Sequence, residues 1–319
     1  MPGRAGELTP GHATRAGTEA YAATAGAACG AVHFSDFPGQ HLKLSSIGLG
    51  TLGGTTRDVV ALALRGGLNV VDTAVHYPSL EAVGEGIAAS GVPRESVFIA
   101  VKGFLALEDR GEIEHARRSL GLATIDVFLV DQPERHAATL GKEAMHRRLD
   151  EVFRLLEAAV TDGRIRHYGI ATFESLRVET DAPLFQSIAA LQALGGKGLR
   201  VLQLPFNPAM TEGLARFSQA TGKGNVASSL QAARQLGLYC MTSHALGKGA
   251  FAVSDPLSGH VPGLANAAQR AIQFSRSTPG VGTALAGIGS EAHLADALAV
   301  ARVPPMAKDD YVKLYERAG

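Results

Sequence analysis

Leu68-Asn-Val-Val-Asp-Thr-Ala-Val-His-Tyr77 is the stretch from which the fold can be read. Its first half has the character of a buried strand: Leu68, Val70 and Val71 are apolar or β-branched, and Gly66-Gly67 punctuates the entry. Asp72 stands where the apolar run stops. Tyr77 follows on the next segment, ahead of Pro78. An acid ending a buried strand, with a phenol on the loop after it, is more than packing requires. It points to a site at the C-terminal edge of a parallel sheet, where α/β folds keep their chemistry.

The same texture recurs outward from this stretch. Ile47 to Thr51 reads as a strand before it, with a helix over Asp58 to Arg65 between them. Leu80 to Ala89 reads as the next helix, Val97-Phe-Ile-Ala-Val-Lys102 as the third strand, and Glu112 to Leu120 as a helix before a fourth strand, Ile125 to Val130. Leu149, Val152, Phe153, Leu156 and Val160 then fall at helical spacing and predict a long amphipathic helix from about Arg147 to Val160. Strands follow at Arg166 to Thr172, Arg200 to Leu204, Leu238 to Thr242 and Gly282 to Ile288. Helices precede the last three, and Glu291 to Val300 follows the last.

Eight strands, mostly alternating with helices over roughly 260 residues, are the count and length of a (β/α)8 TIM barrel. A doubly wound open sheet is the competitor, but it usually has fewer strands and a glycine-rich phosphate turn after the first. Gly48-Leu-Gly50 and Gly53-Gly54 lack that turn's full spacing. Ala31 to Phe34 and Leu42 to Leu44 flank Pro38-Gly39 and read as a short N-terminal β-hairpin. Residues 1–28 are rich in Ala, Gly and Thr and poor in large apolar groups. They are expected to form a mobile tail, tightening near Tyr21, ahead of a single barrel domain over 29–319.

The chain has 319 residues, 46% of them hydrophobic, enough for a large core. Lys plus Arg and Asp plus Glu are both 30, so the net charge is zero and nothing points to nucleic acid or an acidic membrane surface. Cys29 and Cys240 have no metal-ligand spacing, so neither a metal site nor a disulfide framework is expected. No apolar run reaches the roughly 18 residues of a membrane span. The N-terminus carries Arg4 and Glu7 without a signal peptide's apolar core. A soluble cytoplasmic protein is the expectation. Oligomeric state leaves no mark in the sequence.

A barrel gathers the ends of neighbouring strands on one rim. On it fall Asp72, Tyr77, Lys102 ending the third strand, and Asp131 ending the fourth. Each has a bland reading: Asp72 as a helix cap, Tyr77 as a half-buried loop aromatic, Asp131 as a turn residue. Lys102 is the hardest to dismiss, since it must reach water or pair with an acid. Together they describe a tuned proton donor. A phenol is a poor acid at neutral pH, a nearby ammonium is expected to lower its pKa, and an acid keeps that ammonium charged. Such a donor suits protonation of a carbonyl oxygen as hydride arrives at its carbon, and the hydride must come from a cofactor.

Read with these motifs, the chain resembles the aldo-keto reductase superfamily over roughly Leu42 to Val303. The resemblance rests on Ser46 to Thr51, Gly67 to Tyr77, Glu81-Ala-Val-Gly-Glu85, Val97 to Lys102, Ile125 to Pro133, Gly163 to Thr172 and Ser277 to Thr283. It implies a (β/α)8 barrel that binds NADPH or NADH across the C-terminal rim and reduces aldehydes and ketones. The family's catalytic tetrad is Asp, Tyr, Lys and His. Asp72, Tyr77 and Lys102 match the first three, and the histidine's place falls on Asp131. A carboxylate there cannot donate a hydrogen bond unless protonated. Asp131 is therefore either ionised and paired with Lys102, which would weaken carbonyl reduction, or neutral and an acid. In the family an acid at this place goes with steroid double-bond reduction, which makes conjugated C=C reduction the matching expectation.

The resemblance also assigns cofactor residues. Thr172 takes the place of the asparagine that holds the carboxamide, and Gln203 matches the carboxamide-binding glutamine. Ser243 replaces the tyrosine stacked on the nicotinamide. Leu246 to Gly249, with Lys248, resemble the pyrophosphate loop. Gly287, Ser290, His293 and Asp296 belong to the adenine end, Ala286 to Ala297, and a helix start near Ser290 suits phosphate oxygens. No Lys or Arg lies in that stretch to clamp a 2′-phosphate; Arg276 is a candidate outside it. The family favours NADP and the residues favour neither form.

Two other readings stand beside a reductase of a small-molecule substrate. One is a barrel with impaired turnover that binds nucleotide for regulation or scaffolding. The other is a redox-neutral isomerase using the same acid, lysine and phenol. Retention of all three favours catalysis. The substrate would be set by three loops: Ala137 to Met145, Asn207 to Gly224 and Phe251 to Leu264. His76 and His244 are candidates to line its pocket, though a solvated loop histidine is the more frequent case. Cys240 reads as inert packing.

Overall fold

Each of the eight apolar runs becomes a strand of one closed barrel. The computed structural model describes residues 7–104, 110–222 and 224–316. A hairpin of β1 (Phe34–Asp36) and β2 (Lys43–Ser45) leads into the barrel strands β3 (Ile47–Gly50), β4 (Val70–Ala74), β5 (Phe98–Phe104), β6 (Ile125–Asp131), β7 (Ile165–Ala171) and β8 (Leu199–Pro205). A second hairpin follows, β9 (Phe217–Ala220) with β10 (Val226–Ser228). The strands β11 (Tyr239–Ser243) and β12 (Thr283–Gly287) then complete the barrel, in the order β11-β12-β3-β4-β5-β6-β7-β8 with every pair parallel. Helices at Arg57–Gly66, Leu80–Ser90, Gly111–Leu120, Lys142–Thr161, Ile188–Leu194, Ser229–Gln235, Ala267–Arg276 and Glu291–Ala301 cover it. This is the expected (β/α)8 barrel with its short hairpin. Among the described residues no helix is long and apolar enough to cross a membrane.

The two-residue period of a strand sorts side chains between lumen and helix shell. Val71, Ile99, Val101, Phe128 and Ile170 join the shell core between strands and helices. Their alternates Val70, Phe98, Ala100, Val127, Leu129 and Val201 fill the lumen. The same parity carries Asp72 inward beside Val70, Lys102 beside Ala100, Asp131 beside Leu129 and Gln203 beside Val201. The lumen floor is closed by Phe37 of the hairpin, whose ring meets Phe98 at 5.8 Å and Tyr239 at 4.9 Å.

Several local expectations are corrected. Within the predicted mobile tail the structure has a helix, Arg15–Cys29, capped by the Thr14 side chain on Gly17 N; residues 1–6 lie outside the described residues. Its poverty in large side chains is what lets it lie on the barrel's backbone. A Cβ at Gly17 would fall against the Glu95 backbone. Hydrogen bonds substitute for apolar area: Thr14 N to Glu95 O (2.9 Å), Ser96 Oγ to Gly17 O (3.0 Å), Lys43 N to Thr18 Oγ1 (3.0 Å) and Tyr21 Oη to Leu64 O. Ala31–His33 is a 3-10 turn, and the first hairpin strand starts at Phe34. The long helix begins at Lys142 rather than near Arg147. The expected loops around residues 137–145 and 207–224 hold the helix Glu134–Leu140 and part of the β9–β10 hairpin. A C-terminal helix, Lys308–Glu316, was not anticipated.

Candidate active site

Three polar side chains meet at the top of the lumen. Lys102 Nζ bonds Asp72 Oδ1, and Gln203 Nε2 donates to Asp72 Oδ2 at 2.8 Å, so β4, β5 and β8 are tied across the barrel by one carboxylate. Asp72 and Lys102 are 5% and 4% exposed. Tyr77 stands over them on the loop after β4. That loop is fixed by Val75 N to Lys102 O (2.9 Å), Tyr77 N to Ala74 O (3.0 Å) and Ser79 Oγ to Thr51 O (3.1 Å). The Lys102 ammonium lies 5.2 Å from the Tyr77 ring centroid.

Asp131 ends β6 directly beside Phe104 of β5 in register. The Phe104 ring stacks on His76 at 4.7 Å, and His76 meets Tyr77 edge-on at 4.8 Å. An imidazole, a carboxyl group and a phenol thus share this corner of the rim. Gln132 follows Asp131 with φ of 44°, a left-handed conformation that non-glycine residues adopt rarely and mostly where the fold insists. Its N–H is held by Ala171 O at 2.6 Å.

The electrostatics depart from one expectation. The Tyr77 phenol is pushed above its ordinary value, first by burial and then by the Asp72 and Asp131 carboxylates. The Lys102 ammonium, bonded to Asp72 and facing the Tyr77 ring, does not offset this rise. The Asp131 carboxyl is also raised, chiefly by burial and with Asp72 adding to it; Lys102, His76 and Gln132 oppose the rise without cancelling it. His76 and His244 are lowered, mainly by burial and then by neighbouring cations against the Asp131 charge near His76.

The predicted cofactor residues lie along the opposite arc, at the ends of β7, β8, β11 and β12. Thr172 N bonds Gln203 O at 2.8 Å, and Thr172 Oγ1 is buried with no partner among the described residues. A buried hydroxyl in that state marks a place where a polar ligand group fits. Ser243 ends β11 and bonds His244 Nδ1 at 3.1 Å. Leu246 leads into a tight turn in which Gly247, Lys248 and Gly249 all have positive φ, with Gly247 N and Gly249 N donating to His244 O at 2.8 Å and Leu246 O at 2.9 Å. Gly287 ends β12, and Ser290 caps the helix Glu291–Ala301 through His293 N at 3.3 Å. These residues fit a dinucleotide. Asp296 Oδ1 accepts from Asn266 Nδ2 and Gln269 Nε2, both at 2.8 Å. Arg276 is buried at the other end of the barrel on Gln273 Oε1, Ser46 Oγ and Val303 O, so it cannot reach a 2′-phosphate.

Sequence reasoning passed over Glu134. Its carboxylate, 3% exposed, accepts from Phe173 N and Glu174 N and so holds the chain just beyond Thr172. Its partners lie 39 and 40 residues away, and no local pattern signals them.

A barrel of this topology, with acid, lysine and phenol at adjacent strand ends, defines a rim-site enzyme class. The Aldo/keto reductase family profile matches residues 47–239, and the chain belongs to that family. It is 30% identical over 143 residues to a 9,11-endoperoxide prostaglandin H2 reductase of Trypanosoma cruzi, covering 42% of this chain and 46% of that protein. It is 32% identical over 133 residues to a glyoxal reductase of Bacillus subtilis, covering 40% and 44%. The chain therefore spans under half the length of these curated relatives. An aldo/keto reductase of Klebsiella pneumoniae, solved in complex with NADP and acetate, has the same fold, with a TM-score of 0.65, 21% identity and coverage of 89% of this chain and 95% of that one.

Proposed function

We propose that this chain is an NAD(P)H-dependent oxidoreductase that reduces a carbonyl, or a conjugated C=C, of a small-molecule substrate, with Tyr77 as proton donor. The observation that carries the reading is the buried Asp72–Lys102–Gln203 network with the ammonium against the Tyr77 ring. A charge pair this dry costs desolvation energy that apolar residues would avoid, so its placement under a phenol argues for chemistry. The bound nicotinamide supplies hydride to the substrate carbon. The chain's part is the proton: Tyr77 Oη gives it to the substrate oxygen as the π bond opens. Lys102 is the cation set against the Tyr77 ring where the phenolate charge forms, Asp72 orients it, and Gln203 holds Asp72 from the far side. In this reading Thr172 Oγ1, Gln203 and Ser243 would hold the carboxamide end, Leu246 to Gly249 the pyrophosphate, and Gly287, Ser290, His293 and Asp296 the adenosine end. The similarity to a protein solved with NADP supports this cofactor class, and NADPH and NADH both remain open to it.

The raised Asp131 carboxyl favours the C=C branch. In its protonated form Asp131 donates a hydrogen bond to an enone oxygen. With hydride supplied at the β-carbon by a bound nicotinamide, the C=C electrons would pass into an enolate whose oxygen Asp131 holds, and Tyr77 would protonate its α-carbon to leave the saturated ketone.

Fluorescence titration with NADPH and NADH separately tests the cofactor without a substrate. Saturable binding of one or both is expected, and binding of neither would sink the oxidoreductase reading. A carbonyl and enone screen with the binding cofactor follows. Asp131→His should move activity from enones toward simple carbonyls, and an unchanged ratio would remove Asp131 from this role.

A further inference from the structure

A cavity of ≈ 220 Å³ opens at the N-terminal end of the barrel, away from the rim site. We propose that it binds a small oxyanion, an orthophosphate or a short carboxylate, and that this ligand braces the N-terminal segment against the barrel. At roughly 30 Å³ per water the space holds several waters. It is smaller than the roughly 300–1,000 Å³ of pockets for drug-sized ligands.

Its lining carries unspent hydrogen-bonding groups and positive charge. His167 of β7 faces the lumen floor and is 8% exposed, and its ring makes no hydrogen bond among the described residues, meeting only Phe37 edge-on at 5.4 Å. Arg166 beside it is exposed and forms no ion pair among the described residues. Arg15, on the opposite wall, shares its guanidinium with Glu19 through Nε. The one carboxylate in the lining, Asp126, is already saturated by Ala13 N at 2.6 Å, Ile99 N at 2.9 Å and the Arg94 guanidinium. Thr14 and Arg15 also belong to the lining and open the 15-residue helix, whose first N–H groups favour an anion.

The charged groups facing the two histidines come from every wall. They are Arg166 on β7 and Arg200 on β8 around His167, and Arg166, Arg94 and the Asp126 carboxylate around His12. Burial leads and the arginines add to it, so His167 is lowered to about 4 and is neutral at pH 7, and His12 is lowered as well. A bound oxyanion reverses the local sign. Each histidine then takes up a proton more readily, so binding tightens as pH falls.

Calorimetric titration of the full chain tests this, with sodium orthophosphate in one arm and sodium succinate in the other, against sodium chloride at equal ionic strength. One-to-one binding in at least one arm is expected, tighter under mildly acid conditions, with proton uptake visible as a buffer-dependent heat. The tighter arm names the source of the anion. Arg166→Gln, at an exposed position, should weaken binding about tenfold, the loss of one charge-assisted contact, and His167→Gln should reduce the proton uptake. Repeating the titration with saturating NADPH separates the two ends of the barrel. Binding in neither arm, binding unchanged by Arg166→Gln, or phosphate displaced by NADPH would each overturn the proposal.

Discussion

At the scale of single residues, the Asp72–Lys102 pair sets the energetics of the rim. Their side chains are 6% and 5% exposed. Removing one partner of such a pair strands the other charge, whereas replacing both is far better tolerated. Lys102→Met should therefore cost about 3–5 kcal/mol, and adding Asp72→Asn should recover much of it, read by urea unfolding. Equal losses for the single and double variants would show that the two groups do not depend on each other. Asp131 gives a kinetic prediction. A group that works protonated is active below its pKa, and this carboxyl is raised by burial. Enone reduction should fall as pH rises through that raised value, and Asp131→Asn should remove the limb from the kcat/KM profile. A limb that persists in the variant belongs to another group. Asp72, Tyr77, Lys102 and Asp131 were legible in the sequence because each interrupts or follows an apolar run. The bond from Gln203 to Asp72 joins residues 131 apart, and no local reading reaches that far.

At the scale of elements, the β7–β8 pair is where backbone contact limits what the site can tolerate. The register shifts between Tyr168 and Gly169, and a Cβ on Gly169 would fall on the Val201 carbonyl oxygen. Backbone cannot swing aside as a side chain can. Gly169→Ala should cost about 1–3 kcal/mol through overpacking. It should also weaken cofactor binding, because the strands it pushes apart carry Thr172 and Gln203. A lowered melting temperature with unchanged cofactor affinity would show that the strand ends are insulated from the bulge. The strands themselves were readable from β-branched runs. The N-terminal helix was not, because its small residues signal low burial in isolation and close approach in context. Its capping Thr14 is a start signal visible only beside a helix already suspected.

For the whole molecule, buried neutral histidines couple stability to pH. His33 is fully buried, bonded to Gly67 O at 3.1 Å and Ser46 Oγ at 3.2 Å, and lowered to about 4 by burial and then by Arg276. The unfolded chain binds this proton near the ordinary value of 6.5 while the folded chain does not. Stability from this site is thus complete above that value and is lost as pH falls toward 4, on the order of 3 kcal/mol in all. His33→Gln, which can keep both hydrogen bonds, should flatten the acid limb of a stability–pH curve. An identical limb would place the proton elsewhere.

The sequence by itself determined the barrel, the strand ends on which Asp72, Lys102 and Asp131 sit, and the family the chain resembles. The first two follow from periods of two and 3.6 residues and from polar groups placed where apolar runs stop, and the resemblance from motifs such as Gly67 to Tyr77. Only the tertiary structure decided which groups meet. Closure of the barrel brings Gln203 to Asp72 and sets Lys102 against the ring of Tyr77. It also buries Arg276 away from any cofactor and lays a helix of small residues across the floor. Those outcomes depend on distances between segments far apart in the chain, and on the desolvation that sets each group's charge. Neither exists until the barrel has closed.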